Sequence, residues 1–221
     1  MTRSKGTRGE SSANGREHYQ TGLAARQRIL EAAMQVVSTQ GLHETRMSDI
    51  AEIAGMSPAN VLYHFRTKAE VLVEALRWSE SQATRRRREE FETIEGAGDR
   101  LVRFIELFTP SGRADPEVAI WLELWLRAPH DLSMVEVELE LDRAWEDDLA
   151  DIIALGVRRG EFARVDPDDF ALRFCAYLDG LSLRVVIGRP TFTRLHMIDA
   201  AVRAAARELG FRPGSYEGQG C

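Results

Sequence analysis

Apolar residues recur at the three- and four-residue spacing of helices along most of the chain, and no stretch shows the alternation of a strand. The first stripe predicts a helix that ends at Gly41, and it consists of Ile29, Leu30, Ala33, Val36 and Val37. Two short helices follow around Ile50 and Val61, and a long one begins at Thr67. The first third of the chain is therefore predicted as three small helices and one long helix.

In the second half of the chain, the spacing of apolar residues predicts five further helices, over about residues 101–108, 118–126, 132–159, 166–188 and 193–209. Pro110, Pro129, Gly160 and Gly210 mark helix ends. Residues 118–126 are apolar on nearly every side, which predicts a buried helix. The fold class is all-α, with about nine helices.

Residues 46–65, RMSDIAEIAGMSPANVLYHF, have the pattern of a helix-turn-helix unit. Gly55 can take the positive φ of a sharp turn, Ser57 suits an N-cap, and Pro58 suits the first helical position. Apolar positions should pack inward, with either Val61 or Leu62 in the core. Residues 67–70, TKAE, form a capping box that begins the next helix.

Three segments in this region resemble the DNA-binding domain of TetR-type transcriptional regulators: DIA at 49–51, AGMS at 54–57 and YHFRTK at 63–68. The resemblance covers residues 23–80. It implies a homodimeric, all-helical regulator that binds a double-stranded DNA operator and has a divergent ligand-binding region. Leu62 departs from the tyrosine found at this position in many members, so the base-reading pattern cannot be transferred.

The resemblance also implies a set of DNA-binding residues. Ala59 and Asn60 are expected near base edges, with Tyr63 as a further candidate, because asparagine can pair bidentately with adenine. Lys68, beside a helix N-terminus, is expected to hold phosphate. The full set is Arg46, Ser48, Ser57, Ala59, Asn60, Tyr63, His64 and Lys68.

Other functions are weighed against this one. Short helix-turn-helix units also occur in helical proteins that bind no nucleic acid. The main alternative is a helix-turn-helix DNA-binding protein without a ligand switch, either an architectural protein or a constitutive regulator. An enzyme is not expected, because the five histidines are scattered and the sequence has no phosphate-binding glycine loop or nucleophile elbow. No metal or cofactor is expected.

The formal charge of −6 is unevenly distributed. Residues 1–90 carry 14 Lys and Arg against 11 Asp and Glu, while the rest carry 15 against 24. The positive balance therefore lies on the half with the helix-turn-helix pattern, as expected for DNA binding. The arginine run 85–88 is predicted to form a solvated helical face or to pair with Glu89 and Glu90, and the carboxylates at 146–148 are predicted to form a solvated helical face.

The predicted domains are residues 23–82 for DNA binding and 83–210 for effector binding and dimerisation. Residues 1–22 are expected to be a disordered polar tail, and residues 211–221 a flexible one. The basic residues Arg3, Lys5, Arg8 and Arg16 could form a minor-groove arm or a solvated tail. With no secretory signal and no apolar run long enough to span a membrane, a cytoplasmic protein is expected.

The last two helices carry more apolar surface than one partner can cover. Pairing with a second copy in a four-helix interface is predicted, and packing within the chain is the alternative. The predicted interface residues are Leu172, Cys175, Asp179, Leu183, Val186, Leu195, Ile198, Val202 and Ala205.

A small-molecule effector is expected among the C-terminal helices, because members of the family usually bind one there. The candidate pocket residues are Trp78, Phe104, Phe108, Trp121, Trp125, Phe174 and Tyr177, and core packing is the alternative for each. The SPAN segment at 57–60 and LDGL at 178–181 resemble the choline-responsive branch of the family. Trp121 and Trp125 could then form an aromatic cage, and Asp179 could supply a counter-charge or lie at the dimer interface.

Overall fold

The computed structural model describes residues 10–113, 115–214 and 216, with residues 10–20 given only as helical backbone. The described residues form nine α-helices and one short 3-10 turn, Ala128–His130, and contain no strand. The all-α prediction is confirmed. The helices are α1 Glu10–Gln40, α2 Met47–Ile53, α3 Pro58–His64, α4 Lys68–Thr93, α5 Ala97–Phe108, α6 Pro116–Arg127, α7 Leu132–Arg159, α8 Pro167–Val186 and α9 Arg194–Leu209.

The chain divides into two compact units, Met1–Ala75 and Leu76–Cys221. We call them the N-terminal and the C-terminal unit. The division lies inside α4 and earlier than the predicted boundary at 82/83. A boundary inside one continuous helix has no proline, glycine or change of composition to mark it in the sequence.

Helix α1 begins at Glu10, so residues 10–22 of the segment predicted as a disordered tail belong to a helix. Once a helix has formed, adding a residue to its end costs far less than starting a new helix. The packed part of α1 can therefore extend through a polar segment. Residues 1–9, with three of the four basic residues of the suggested arm, lie outside the described residues.

The core of the N-terminal unit is formed by one face of each of its helices. Ile29 and Val36 of α1, Ile50 of α2 and Val61 of α3 are completely buried. Phe65, directly after α3, is also buried, and its ring lies 4.4 Å from the guanidinium carbon of Arg26. These contacts fix the orientation of α3.

The core of the C-terminal unit is built from α5, α7, α8 and α9, which contribute the fully buried Leu101, Leu149, Phe170 and Ile198. Gly160 and Gly210 end α7 and α9 in the left-handed conformation, as their positions in the sequence predicted.

Helix α6 is less buried than predicted. Only Ile120 and Leu124 are fully enclosed, and Leu126 is largely exposed. The remaining apolar side chains are half-buried because several of them line a cavity rather than packing against another helix.

Two charged segments are also more buried than predicted. Arg87 and Asp148 form an ion pair in which each side chain is only 2% exposed, and Arg88 contacts the same carboxylate. The prediction of a solvated face is therefore wrong at Arg87 and Asp148, whereas the Arg88 side chain is exposed. A buried charge is tolerated when a partner of opposite sign is buried with it.

Two aromatic side chains of the segment after α9 contact the C-terminal unit. The ring of Phe211 lies 5.2 Å from that of Phe162, and the Tyr216 hydroxyl donates to Asp199 Oδ1 at 3.2 Å. These contacts lie within the segment predicted as a flexible tail, and they form because aromatic side chains bury apolar area.

Candidate DNA-binding surface and ligand cavity

The turn between α2 and α3 has the local chemistry expected of a helix-turn-helix unit. Gly55 has a φ of 66°, which other residues rarely adopt. The backbone N–H of Asn60 donates to Ser57 Oγ at 3.2 Å, and Pro58 occupies the first helical position. This cap fixes the start of α3, which is the candidate recognition helix.

Helix α3 has a buried face and an exposed face. Val61 is the inward residue and Leu62 points outward, which resolves the alternative left open by the sequence. Ala59 and Asn60 are exposed, and Tyr63 is 84% exposed. The exposed side therefore presents a methyl group, an amide and a phenol, which can contact base edges or backbone.

Around this helix, the other candidate residues have internal partners. His64 is half-buried, and its ring meets that of Tyr63 edge to face at 5.3 Å. The exposed Ser48 hydroxyl donates to Asp49 Oδ1 at 3.1 Å, and the backbone N–H of the exposed Arg46 donates to Asp49 Oδ2 at 3.2 Å. Asp49 thus organises the start of α2.

Lys68 has a structural role that the sequence did not indicate. Its Nζ donates to the carbonyls of Leu42 and Thr45, at 3.1 and 2.9 Å. These bonds hold the loop before α2 against the start of α4. The Glu70 N–H donates to Thr67 Oγ1 at 3.1 Å, so the predicted cap of α4 is present. An ammonium has three donors, so one remains for a phosphate.

A cavity that is partly open to solvent lies in the C-terminal unit among α4, α5, α6, α7 and α8. Its walls are rich in aromatic side chains and carboxylates. The lining residues are Glu80, Leu107, Phe108, Thr109, Pro110, Asp115, Glu117, Val118, Trp121, Leu122, Trp125, Asp142, Trp145, Asp179, Ser182 and Leu183.

Glu80 holds the aromatic wall together. It is 5% exposed and accepts hydrogen bonds from Trp121 Nε1 at 3.2 Å and Trp145 Nε1 at 3.1 Å. The Trp121 and Trp125 rings lie 5.7 Å apart, and Phe108 meets Trp145 edge to face at 4.9 Å. The two indole N–H groups of Trp121 and Trp145 are thus bonded, and ring surface remains for the cavity.

The carboxylates of the cavity retain protons more readily than usual. Burial, together with the charge of Glu117, raises the pKa of Glu80 to about 7. Burial and the charges of Glu138 and Glu146 raise the pKa of Asp142 to about 6. Burial, and the charge of Asp142 ahead of other carboxylates, raises the pKa of Asp179 to about 7. A cation bound in the cavity would favour the ionised form of these carboxylates.

The sequence identified part of this lining. Phe108, Trp121 and Trp125 line the cavity, but Phe104 and Phe174 are buried in the core. Trp78 is half-buried and Tyr177 is partly exposed, and neither is among the lining residues. Residues that pack between helices cannot also face the space.

The sequence reasoning missed several lining residues, chiefly Glu80, Asp142 and Trp145. A signal was present, because Glu138, Asp142 and Glu146 recur at four-residue spacing on one face of α7. Of the two roles suggested for Asp179, its place in the lining favours the counter-charge.

The predicted dimer interface needs a correction. Cys175, Ile198, Val202 and Ala205 are at most 1% exposed within the chain, so they cannot meet a partner. Their apolar faces pack against the core of the C-terminal unit. Leu172 and Leu183 are exposed, and Val186 and Leu195 are half-buried.

Among the described residues there is no cluster of side chains that could hold a metal ion. The described helices also include none that is long and apolar enough to cross a membrane.

Family models match both parts of the chain. Residues 29–75 match the model for bacterial regulatory proteins of the tetR family, and residues 97–210 match the C-terminal model of BetI-type transcriptional repressors. The first match contains α2 and α3, and the second contains most of the cavity lining.

Similar proteins are transcriptional regulators. RutR of Escherichia coli K12 is 30% identical over 149 residues, which span 65% of this chain and 67% of RutR. BetI of Rhizobium meliloti is 33% identical over 47% of this chain and 51% of BetI. A regulator from Saccharomonospora viridis, solved in complex with choline, is 33% identical over 83% of this chain and 95% of its own, with a TM-score of 0.73. The chain belongs to the TetR family of transcriptional regulators, with a BetI-type C-terminal domain.

Proposed function

We propose that this regulator binds a pseudo-palindromic operator as a homodimer, represses transcription there, and leaves the operator when a small organic cation fills the cavity. The observation that supports a cationic ligand is the lining of the cavity, where tryptophan rings and buried carboxylates face the same space.

A cation suits this lining for two reasons. The face of an indole ring attracts a positive charge, most strongly where water is excluded. The carboxylates of Glu80, Asp142 and Asp179 gain a partner for charges that burial otherwise disfavours. The similar regulator from Saccharomonospora viridis was solved with choline, a cation of this kind. Choline is therefore the first ligand to test.

A ridge of exposed residues on α8 supports the homodimer. Leu172, Ala176, Gly180, Leu183 and Ile187, at four- and three-residue spacing, lie along one side of the helix and its C-cap. The three large side chains are between 40% and 59% exposed, and the small residues between them allow a second helix to approach closely. A twofold contact along this ridge would present two α3 helices to one operator.

The switch requires only a moderate difference in affinity. A ligand that favours the DNA-free state by about 1–3 kcal/mol weakens operator binding about 5- to 150-fold. Helix α4 contributes residues to both units, including Lys68 at its start and Glu80 in the cavity wall. We propose that α4 transmits the effect of ligand binding to the DNA-binding helices.

Ligand binding can be tested with choline and the purified protein by calorimetry. Trp121→Ala should abolish binding, because it removes a ring of the cavity and a donor to Glu80. Trp78→Phe is the matched control, since Trp78 does not line the cavity. Absence of binding of choline, tetramethylammonium and primary amines by the wild-type protein would refute a cationic effector.

DNA binding can be tested by selecting bound fragments from genomic DNA and measuring their affinity with excess unrelated duplex present. A regulator keeps its fragment under competition, whereas an architectural protein loses it. Addition of choline should release the fragment from the wild-type protein but not from Trp121→Ala.

A further inference from the structure

We propose that the cavity takes an organic dication, with one positive centre held by Glu80 and Glu117 and the other by Asp142 and Asp179. The proposal rests on the proposed function, because it narrows the cationic ligand to molecules with two separated charges. A linear diamine is the simplest molecule of this class.

The lining carboxylates form two pairs on four different helices. Glu80 of α4 has Glu117 of α6 as its repelling neighbour. At Asp179 of α8, the charge of Asp142 of α7 is the largest source of repulsion, ahead of Glu138 and Glu146. The indole N–H groups of Trp121 and Trp145 both donate to Glu80, and among the described residues neither indole donates to Asp142 or Asp179. The four carboxylates therefore form two pairs with different partners.

The two pairs differ in what neutralises them. Glu80 accepts two indole hydrogen bonds, and Glu117 accepts one from the Ser79 hydroxyl. Asp142 and Asp179, in contrast, have no hydrogen-bond donor and no ion-pair partner among the described residues. The fifth carboxylate of the lining, Asp115, already caps α6 and accepts from Ser111. Among the described residues, the aspartate pair is thus the part of the lining that accepts no hydrogen bond.

One cation cannot satisfy both pairs. A single ammonium at the aromatic wall near Glu80 leaves the aspartates to repel each other or to stay protonated. A second positive centre joined by a hydrocarbon linker removes that repulsion, and Leu107, Val118 and Leu122 give the cavity apolar surface for the linker. Charged hydrogen bonds in a partly desolvated site are strong enough to separate dications from monocations.

Calorimetry can compare 1,4-diaminobutane with n-butylamine, which has the same carbon chain and only one charge. At pH 8 the amines are protonated and the cavity carboxylates are largely ionised. We expect the diamine to bind at least about tenfold more tightly than butylamine, as a second charged hydrogen bond predicts. Diamines with three, five and six carbons should be compared with it, because the tightest-binding member of the series gives the charge separation that best matches the cavity.

Asp142→Asn with Asp179→Asn should remove the advantage of the diamine over butylamine. The variant should fold, because it removes two repelling buried charges, and each single substitution should lose part of the advantage. Glu136→Gln, a substitution at an exposed position on the same helix as Asp142, should leave the affinities for butylamine and for the diamines unchanged.

The outcomes separate this proposal from the proposed function. Equal binding of butylamine and every diamine, with choline bound, overturns the dication and leaves the cationic effector in place. A diamine advantage that survives the double substitution overturns the assignment to the aspartates. No binding of any amine or of choline overturns both proposals.

Discussion

The guanidinium of Arg87 lies over the indole ring of Trp145, with 3.7 Å between the guanidinium carbon and the ring centroid. Its Nε also donates to Asp148 Oδ2 at 2.7 Å, in a setting where both side chains are almost fully buried. Because Trp145 lines the cavity, the buried ion pair helps to hold this part of the cavity wall in position. Helices α4 and α7 are joined at this point by charge as well as by apolar contact.

Arg87→Met should destabilise the protein strongly. The change leaves the buried Asp148 with Arg88 alone, and an incompletely compensated buried charge costs about 3 kcal/mol or more. Urea unfolding with and without the change measures this loss. Arg86→Met, at an exposed neighbouring position, should change stability little. Equal effects of the two substitutions would show that the ion pair contributes nothing.

Asn60→Ala should relax the preference of the protein at one operator position. The Asn60 side chain is exposed on α3, where a bidentate pair with adenine discriminates by about 1–3 kcal/mol. Competition binding with operator variants that each differ at one base pair measures this change in preference. The backbone bond to Ser57 remains, so the helix itself should persist. An unchanged base preference with a general loss of affinity would assign Asn60 to the phosphates.

Lys68→Ala should weaken binding to all sequences alike and reduce the slope of log affinity against log salt by about 0.9. It should also lower the free energy of unfolding, because the carbonyls of Leu42 and Thr45 lose their donor. Salt titrations and thermal unfolding distinguish the two effects. A loss of stability with an unchanged salt slope would mean that Lys68 is structural only.

Stability without ligand should fall as the pH rises from about 4 to about 7. Folding raises the pKa of Glu80, Asp142 and Asp179, so their contribution is complete below their unfolded values near 4 and is lost above the folded ones.

Asp142→Asn should therefore raise the melting temperature at pH 8 by about 2–4 °C, the shift that ~1 kcal/mol produces in a domain of this size, after allowance for solvent screening. At pH 4.5 the effect should be small, because the wild-type carboxyl is protonated there. A wild-type melting temperature that rises steadily between pH 5 and 8 would contradict this interpretation.

Leu172→Glu should turn the proposed dimer into a monomer, because it places a charge on the exposed ridge of α8. Leu139→Glu is the matched control, since Leu139 lies on α7 and is exposed to a similar extent, 54% against 59%. Light scattering coupled to size exclusion measures the mass of both variants. A monomeric wild-type protein at micromolar concentration would refute the dimer outright.

The sequence was sufficient where structure depends on neighbouring residues. Gly55, Ser57 and Pro58 encode the turn and the start of α3 through backbone conformation and one hydrogen bond. Gly160 and Gly210 likewise encode helix ends. These signals act over a few residues, so helix positions and the helix-turn-helix unit could be predicted.

The tertiary structure decided which face of each helix is buried and against what. Val61 and Leu62 are adjacent and both apolar, and only packing showed that Val61 is the inward one. Ile198 and Val202 were predicted to meet a partner chain, but the fold packs them into the core of the C-terminal unit. Arg87 found its partner Asp148 sixty-one positions away. The cavity combines carboxylates from four helices that only the fold brings together. Local sequence thus determined the helices and their ends, whereas the cavity and its charge required contacts between residues far apart in the chain.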